Sequence, residues 1–173
     1  MELLKTKKTY LTTFEELHGI VSSGKAEDLF NEGDEVLLQR GAEDIPYVIL
    51  GFDVAEPVDP SIKYTMTIWP RVAIEGEKKF DDGNNYTNKW EDCSLRHYLQ
   101  SDEYVGRFAE GSDAVKKCTA VVRNRNDGRK VTEDRFFLLS KEEFDSQTGY
   151  PYFSSEARRI VEDGDDGTVW HWT

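Results

Sequence analysis

The chain has 173 residues, a formal net charge of −12 and 12% aromatic residues, which fits one domain with a core of its own. Such an acidic domain repels phosphate groups, so direct binding to nucleic acid or to an anionic membrane is disfavoured. No apolar run reaches the roughly 20 residues that cross a bilayer, and no secretory signal pattern is present. We therefore expect a cytoplasmic protein, or one carried within a larger particle.

The first part of the chain predicts a helix followed by three strands. Thr13 and Glu16 fit a capping box, and apolar residues then recur on one helical face up to Val21. Residues 1–30 are therefore predicted as an N-terminal helical segment. Strands are predicted over the apolar or alternating runs 35–40, 47–52 and 64–69.

The second part of the chain alternates helices and strands. A helix through Leu95 and Leu99 is predicted, with Asp92 or Ser94 as its N-cap. Further strands are predicted over residues 118–125, 135–139 and 169–172, with a hairpin turn at Asn126-Asp127-Gly128. Together these elements predict a single α+β domain over residues 1–173. Residues 31–173 would form a body with a mixed, mainly antiparallel sheet and flanking helices.

Trp90, Arg96 and Tyr98 allow two interpretations. They could form a surface that recognises a sugar or a peptide. Alternatively, Trp90 fixes the entry of the helix and Arg96 pairs with a carboxylate such as Asp134, which is the interpretation that we favour.

Two segments near the C-terminus offer further candidate sites. Asp163, Asp165 and Asp166 supply oxygen ligands of the kind that calcium prefers, but their spacing does not fit an EF-hand. A solvated acidic loop is therefore the favoured interpretation. Trp170 and Trp172 share one strand face, where they would either close the core or anchor a protein partner. No catalytic triad, phosphate-binding glycine loop or cofactor motif is recognisable, so no cofactor or metal is predicted.

Three segments resemble the signatures of an uncharacterised bacterial and phage domain family. Residues 88–99, Asn-Lys-Trp-Glu-Asp-Cys-Ser-Leu-Arg-His-Tyr-Leu, resemble its N-x-W-x-x-S-x-L-R-x-[WY]-L motif. Residues 132–143, Thr-Glu-Asp-Arg-Phe-Phe-Leu-Leu-Ser-Lys-Glu-Glu, are similar to its T-x-D-x-x-F-L-L-S-x-E-E motif. Trp170-His171-Trp172 resembles its W-x-W tail. The resemblance spans roughly residues 30–173, and it implies a C-type-lectin-like fold with a C-terminus shorter than is usual in the family.

Three functional hypotheses follow from these features. The first is a non-enzymatic binding or structural module of bacterial or phage origin, cytoplasmic or associated with a virion, that binds a protein partner. The second is an acidic inhibitor or nucleic-acid mimic that occupies a basic groove of another protein. The third is an enzyme without a recognised motif, which would hold a perturbed carboxylate or His in a pocket. We rank them in this order, and the oligomeric state stays open.

Overall fold

The computed structural model describes residues 8–72, 74, 76, 78–83, 87–125, 130–140 and 154. In these residues the chain forms both helices and strands, which confirms the predicted α+β class. The strands are β1 (Thr9–Leu11), β2 (Glu35–Arg40), β3 (Glu43–Phe52), β4 (Met66–Pro70), β5 (Val122–Arg125) and β6 (Val131–Asp134). The helices are α1 (Phe14–Ser22), α2 (Ala26–Leu29), α3 (Ser94–Gln100), α4 (Asp102–Val105) and α5 (Ser112–Cys118). No described helix combines the length and the apolar character needed to cross a membrane.

The main sheet has four strands in the order β1-β2-β3-β4. The short strand β1 runs parallel to β2, with Tyr10 opposite Val36. The other pairs are antiparallel, and β2 and β3 form a tight hairpin that places Arg40 opposite Glu43. Because β1 ends the order, its outer side is an edge of the sheet within the described part of the chain.

The core lies between this sheet and the helices. Alternate residues of β2 are buried, as expected for a strand with one covered face. Phe14 and Leu17 bring α1 onto this core, where Phe14 meets Phe108 edge-on with ring centroids 4.9 Å apart. Arg40 is also buried, and its guanidinium lies 4.3 Å from the ring centroid of Tyr104. The charge is accommodated because its Nη1 donates to the Tyr104 carbonyl at 2.9 Å.

A second, two-stranded antiparallel sheet is formed by β5 and β6. It joins the segment after β3 through backbone hydrogen bonds, since Val58 N–H donates to the Val121 carbonyl and Arg123 N–H to the Glu56 carbonyl, each at 2.9 Å. This sheet therefore packs next to the main sheet and carries the C-terminal half of the candidate site.

The structure corrects several predicted elements. The strand predicted over residues 118–125 begins only at Val122, because α5 continues to Cys118. The strand predicted over 135–139 is absent from the described residues, and β6 covers Val131–Asp134 instead. The periodicity of a short apolar run such as 136–139 does not by itself establish a strand. The N-cap of α3 is Cys93 rather than Asp92 or Ser94.

Other predictions at the N-terminus hold more closely. The Thr13 hydroxyl accepts the Glu16 amide at 3.1 Å, which confirms the predicted cap of α1. The second half of the capping box is replaced, since the Glu16 carboxylate accepts the Thr12 hydroxyl at 2.9 Å. The segment predicted as helical also contributes the strand β1.

Candidate functional site

Asp134 lies at the centre of a buried polar cluster, which we call the Asp134 cluster. Its carboxylate is 0% exposed. One oxygen, Oδ1, accepts Arg96 Nε at 2.7 Å. The other oxygen, Oδ2, accepts Thr132 Oγ1 at 2.6 Å, Trp90 Nε1 at 2.8 Å and Asn124 Nδ2 at 3.2 Å.

Short, regular elements position these side chains. Trp90 opens the 3-10 turn Trp90–Asp92 just before α3, and Arg96 lies in the first turn of α3. Thr132 and Asp134 are buried on β6 while their neighbours are exposed, because alternate residues of a strand face the same side. The two segments that resemble family signatures therefore meet through their Trp, Arg, Thr and Asp side chains.

The predicted pairing of Arg96 with Asp134 is confirmed by this geometry. The rest of the guanidinium is engaged too, since Nη1 donates to the Glu91 carbonyl at 3.3 Å and Nη2 to the Glu133 carbonyl at 3.4 Å. Both carboxylate oxygens of Asp134 thus have donors, and the group is closed to solvent. Such a buried charge is tolerated only when it is paired and hydrogen-bonded. The cluster is built to hold segments together rather than to meet a substrate.

A second carboxylate fixes the loop before α3. Asp81 Oδ2 accepts the Thr87 amide at 2.9 Å, and Oδ1 accepts the Ser94 amide at 3.2 Å. The Thr87 amide is the main reason that the pKa of Asp81 is held below its usual value. Asp81 thereby satisfies the first amide of α3, a role that a side-chain N-cap would otherwise fill.

Tyr98, the third residue of the predicted recognition set, is half-buried on α3. Its ring meets Tyr104 edge-on with centroids 5.6 Å apart. Lys78 Nζ lies over the ring at 4.2 Å from the centroid, a cation–π arrangement. Trp90, by contrast, is only 7% exposed. The role of Trp90, Arg96 and Tyr98 in binding a partner stays a prediction.

The remaining predicted site residues lie outside the described residues. These are the candidate calcium loop of Asp163, Asp165 and Asp166, and the candidate partner anchors Trp170 and Trp172. Within the described ranges, no group of three or more His, Cys, Asp or Glu side chains could hold a metal ion.

Both cysteines are free thiols. Cys93 is completely buried and its Sγ donates to the Trp90 carbonyl at 3.4 Å. Burial raises the pKa of both the Cys93 and Cys118 thiols. A raised pKa lowers the thiolate fraction at neutral pH, which makes each thiol a weaker nucleophile.

An open groove of about 500 Å³ lies between the edge strand β1 and the helices α1 and α2; we call it the β1 groove. The following residues are among those that line it: Tyr10, Leu11, Glu16, Ile20, Leu29 and Phe30. Its floor includes the edge-on contact of Tyr10 with Phe30, whose ring centroids are 5.0 Å apart. Two of the lining residues are strongly exposed for their type, Leu11 at 72% and Leu29 at 52%.

No pattern in the sequence predicts this groove. Leu11 and Leu29 are separated by a helix and a turn, so no spacing rule connects them along the chain. The sequence offers no further signal for them, because Leu11 lies on β1 and Leu29 on α2, and only the structure shows that both are exposed. Single exposed apolar residues are common, and only the fold brings these two to one groove.

A family model for a domain of unknown function (DUF6273) matches residues 63–173, which is more than half of the chain. All residues of the Asp134 cluster fall inside this match, whereas the β1 groove lies before it. No curated protein and no solved structure matches the chain. The C-type-lectin-like fold and the bacterial or phage origin therefore stay predictions.

Proposed function

The chain belongs to the DUF6273 family, whose description states no activity, and from this premise we propose that it is a non-enzymatic module that binds another protein through the β1 groove. The observation that carries the proposal is the groove itself, with Leu11 and Leu29 exposed beside an apolar floor. A concave apolar surface with exposed Leu side chains gains free energy when a partner removes it from water.

The distribution of polar groups supports the same proposal. The most deeply buried carboxylate of the described chain, that of Asp134, has both oxygens occupied by internal donors. A group in this state stabilises a scaffold, and its complete burial keeps its oxygens from contact with a ligand. The exposed apolar residues of the groove are the surface that the scaffold leaves available.

The size of the groove fits a short segment better than a whole protein face. A volume of about 500 Å³ lies within the range of roughly 300–1,000 Å³ that is usual for small binding clefts. A few side chains of a partner would fill it. The partner is therefore proposed to present a protruding or flexible segment rather than a flat surface.

The experiment is a selection of short random peptides displayed on phage against the purified chain. We expect enriched peptides whose affinity falls about tenfold or more for Leu29→Asp. The matched control is Val131→Asp, because Val131 is exposed to a similar degree, 50% against 52% for Leu29, but lies on β6 and does not line the groove. The control should leave the affinity unchanged.

Two outcomes would overturn the proposal. One is the absence of any enriched peptide. The other is a set of enriched peptides that bind Leu29→Asp as tightly as they bind the unaltered chain. Thermal unfolding of both variants, recorded by circular dichroism, ensures that loss of binding is compared only between folded proteins.

A further inference from the structure

We infer that the segment bound in the β1 groove is a basic, extended stretch of another protein, which adds to the outer edge of β1 as a further strand of the main sheet. This inference rests on the proposed function, and it specifies the conformation and the charge of the partner. Its three supports are the direction of the β1 backbone groups, the position of the groove along them, and the local charge.

The backbone of β1 directs half of its polar groups away from the sheet. Glu35 N–H donates to the Lys8 carbonyl at 2.8 Å, and Thr12 N–H donates to the Leu37 carbonyl at 3.2 Å. Residues 8, 10 and 12 of this parallel ladder therefore face β2, since alternate residues of a strand direct their N–H and C=O groups to the same side. Thr9 and Leu11 must then direct theirs outward.

Among the described residues, nothing pairs with these outward groups. No hydrogen bond is found for the backbone N–H or C=O of Thr9 or Leu11 across the described part of the chain. An unpaired strand edge is a ready template for a further strand. Binding by strand addition takes its affinity from main-chain hydrogen bonds and its specificity from pockets for alternate side chains.

The β1 groove supplies such a pocket directly beside the edge. Tyr10, Leu11 and Thr12 of the strand region line it on one side, and Ile20 and Leu29 line it on the other. A strand that pairs with Thr9 and Leu11 would turn alternate side chains toward this apolar lining. The edge and the groove can therefore act on one extended segment at the same time.

Charge decides which kind of segment fits. Acidic residues occupy the first turns of both helices beside the groove, namely Glu15 and Glu16 of α1 and Glu27 and Asp28 of α2. Of the charged residues that line the groove, Glu16 is acidic and Lys25 is basic. Exposed Lys8 also precedes β1, so the four carboxylates of the first turns outnumber the two nearby cations. With a net charge of −12, a second copy of this chain would be repelled, whereas Lys or Arg residues of a partner would be attracted.

The test uses the peptides enriched on the full chain in the selection described above. We expect them to alternate apolar residues with Lys or Arg. Each is then synthesised with N-methyl groups on alternate residues, in two complementary sets. Only one set removes the amides that would pair with β1, so one set should lower the affinity about tenfold or more and the other should leave it nearly unchanged.

A variant of the chain tests the same main-chain hydrogen bonds by removing a donor of β1 instead of a donor of the peptide. Thr9→Pro removes an outward N–H that makes no bond within the sheet, a change that edge strands tolerate. We expect it to weaken peptide binding, while Thr9→Val, which keeps the N–H, binds normally. Glu16→Gln should weaken binding of the basic peptides and reduce its dependence on salt.

The outcomes separate this inference from the proposed function. Peptides that depend on Leu29 but tolerate both N-methyl sets overturn strand addition and leave the binding module standing. Peptides that depend on Leu29 but are neutral or acidic overturn the basic partner. If no enriched peptide depends on Leu29, the proposed function and this inference both fail.

Discussion

Arg96 Nε lies 2.7 Å from Asp134 Oδ1, across 38 positions of the sequence. The pair joins helix α3 to strand β6, and the Asp134 side chain is 0% exposed while that of Arg96 is 19% exposed. An ion pair in this environment is strong only as a pair, because either partner alone would keep an uncompensated charge away from water.

Removing Arg96 should therefore be costly. We expect Arg96→Ala to lower the free energy of unfolding by about 3–5 kcal/mol, because the Asp134 carboxylate stays buried without its cation. Urea denaturation monitored by tryptophan fluorescence measures the change. The control is Glu56→Gln, which removes an exposed ion pair with Arg123 and should cost less than about 1 kcal/mol. Equal losses for the two variants would contradict the role of the Asp134 cluster.

The two partners should also behave as a unit. We expect the double variant Arg96→Ala, Asp134→Ala to be less destabilised than the sum of its single variants, because the second change removes the orphaned charge that the first one leaves. A double-mutant cycle in urea gives the coupling energy. Additive effects would show that the two side chains stabilise the fold independently.

A substitution of Trp90 measures the contribution of the hydrogen bond to the other oxygen of Asp134. Trp90→Phe keeps a buried ring but removes the Nε1–H that donates to Asp134 Oδ2 at 2.8 Å. We expect a loss of about 1–3 kcal/mol in the free energy of unfolding. The same substitution in an Asp134→Ala background should cost clearly less, since the acceptor is already gone. A loss of equal size in both backgrounds would assign the effect of Trp90 to packing alone.

The N-terminus of α1 depends on a residue far along the chain. Glu110 accepts the Phe14 amide at 2.7 Å and the Glu15 amide at 3.2 Å, while Thr13 accepts the Glu16 amide. We expect Thr13→Ala to cost about 0.5–2 kcal/mol, as for other N-caps. Glu110→Ala should cost at least as much, because it leaves two amides without acceptors.

Circular dichroism during thermal unfolding measures both changes. Glu103→Gln is the matched control, since Glu103 is an exposed helical carboxylate whose Arg107 contact is 3.9 Å long. The midpoint of this control should stay within error of the unaltered chain. If Glu110→Ala unfolds at the same temperature as Glu103→Gln, the long-range cap contributes nothing to stability.

The buried thiol of Cys93 should make the stability of the fold depend on pH. Burial raises the pKa of Cys93 in the folded chain above that of the unfolded chain, which is about 8.5. The folded state therefore holds this proton more tightly, so the associated stability is fully present below the unfolded pKa. It is lost as the pH rises through the folded pKa.

The measurement is the urea midpoint between neutral and alkaline pH. We expect it to fall more steeply for the unaltered chain than for Cys93→Ala. Alkylation with iodoacetamide adds a second readout, because half-buried Cys118 should react before fully buried Cys93. Faster labelling of Cys93 would contradict its burial.

The sequence predicted those parts of the structure that local pattern decides. The cap at Thr13 and the strand over 35–40 follow from neighbouring residues, and both are confirmed. The pairing of Arg96 with Asp134 was also predicted, because a buried aromatic residue beside an Arg calls for a carboxylate partner nearby. The α+β class follows from the alternation of such elements.

Features that depend on distant contacts were not predicted. The three residues of β1 become a strand only by pairing with β2, 26 positions further along the chain, and their sequence carries no alternation of its own. The β1 groove depends on that pairing in turn. The cap by Glu110 could not be predicted either, since a carboxylate 96 positions from Phe14 gives no local signal in the sequence.

The Asp134 cluster also constrains how the chain can be divided. Two of its donors, Trp90 and Arg96, belong to one segment, and the other two, Asn124 and Thr132, belong to a later one. Their common acceptor, Asp134, lies at the end of the later segment. A fragment that stops short of Asp134 would carry four donors without the acceptor that joins them. The stretch from residue 90 to residue 134 should therefore be kept whole when the chain is shortened or recombined, because a boundary within it separates these donors from their acceptor.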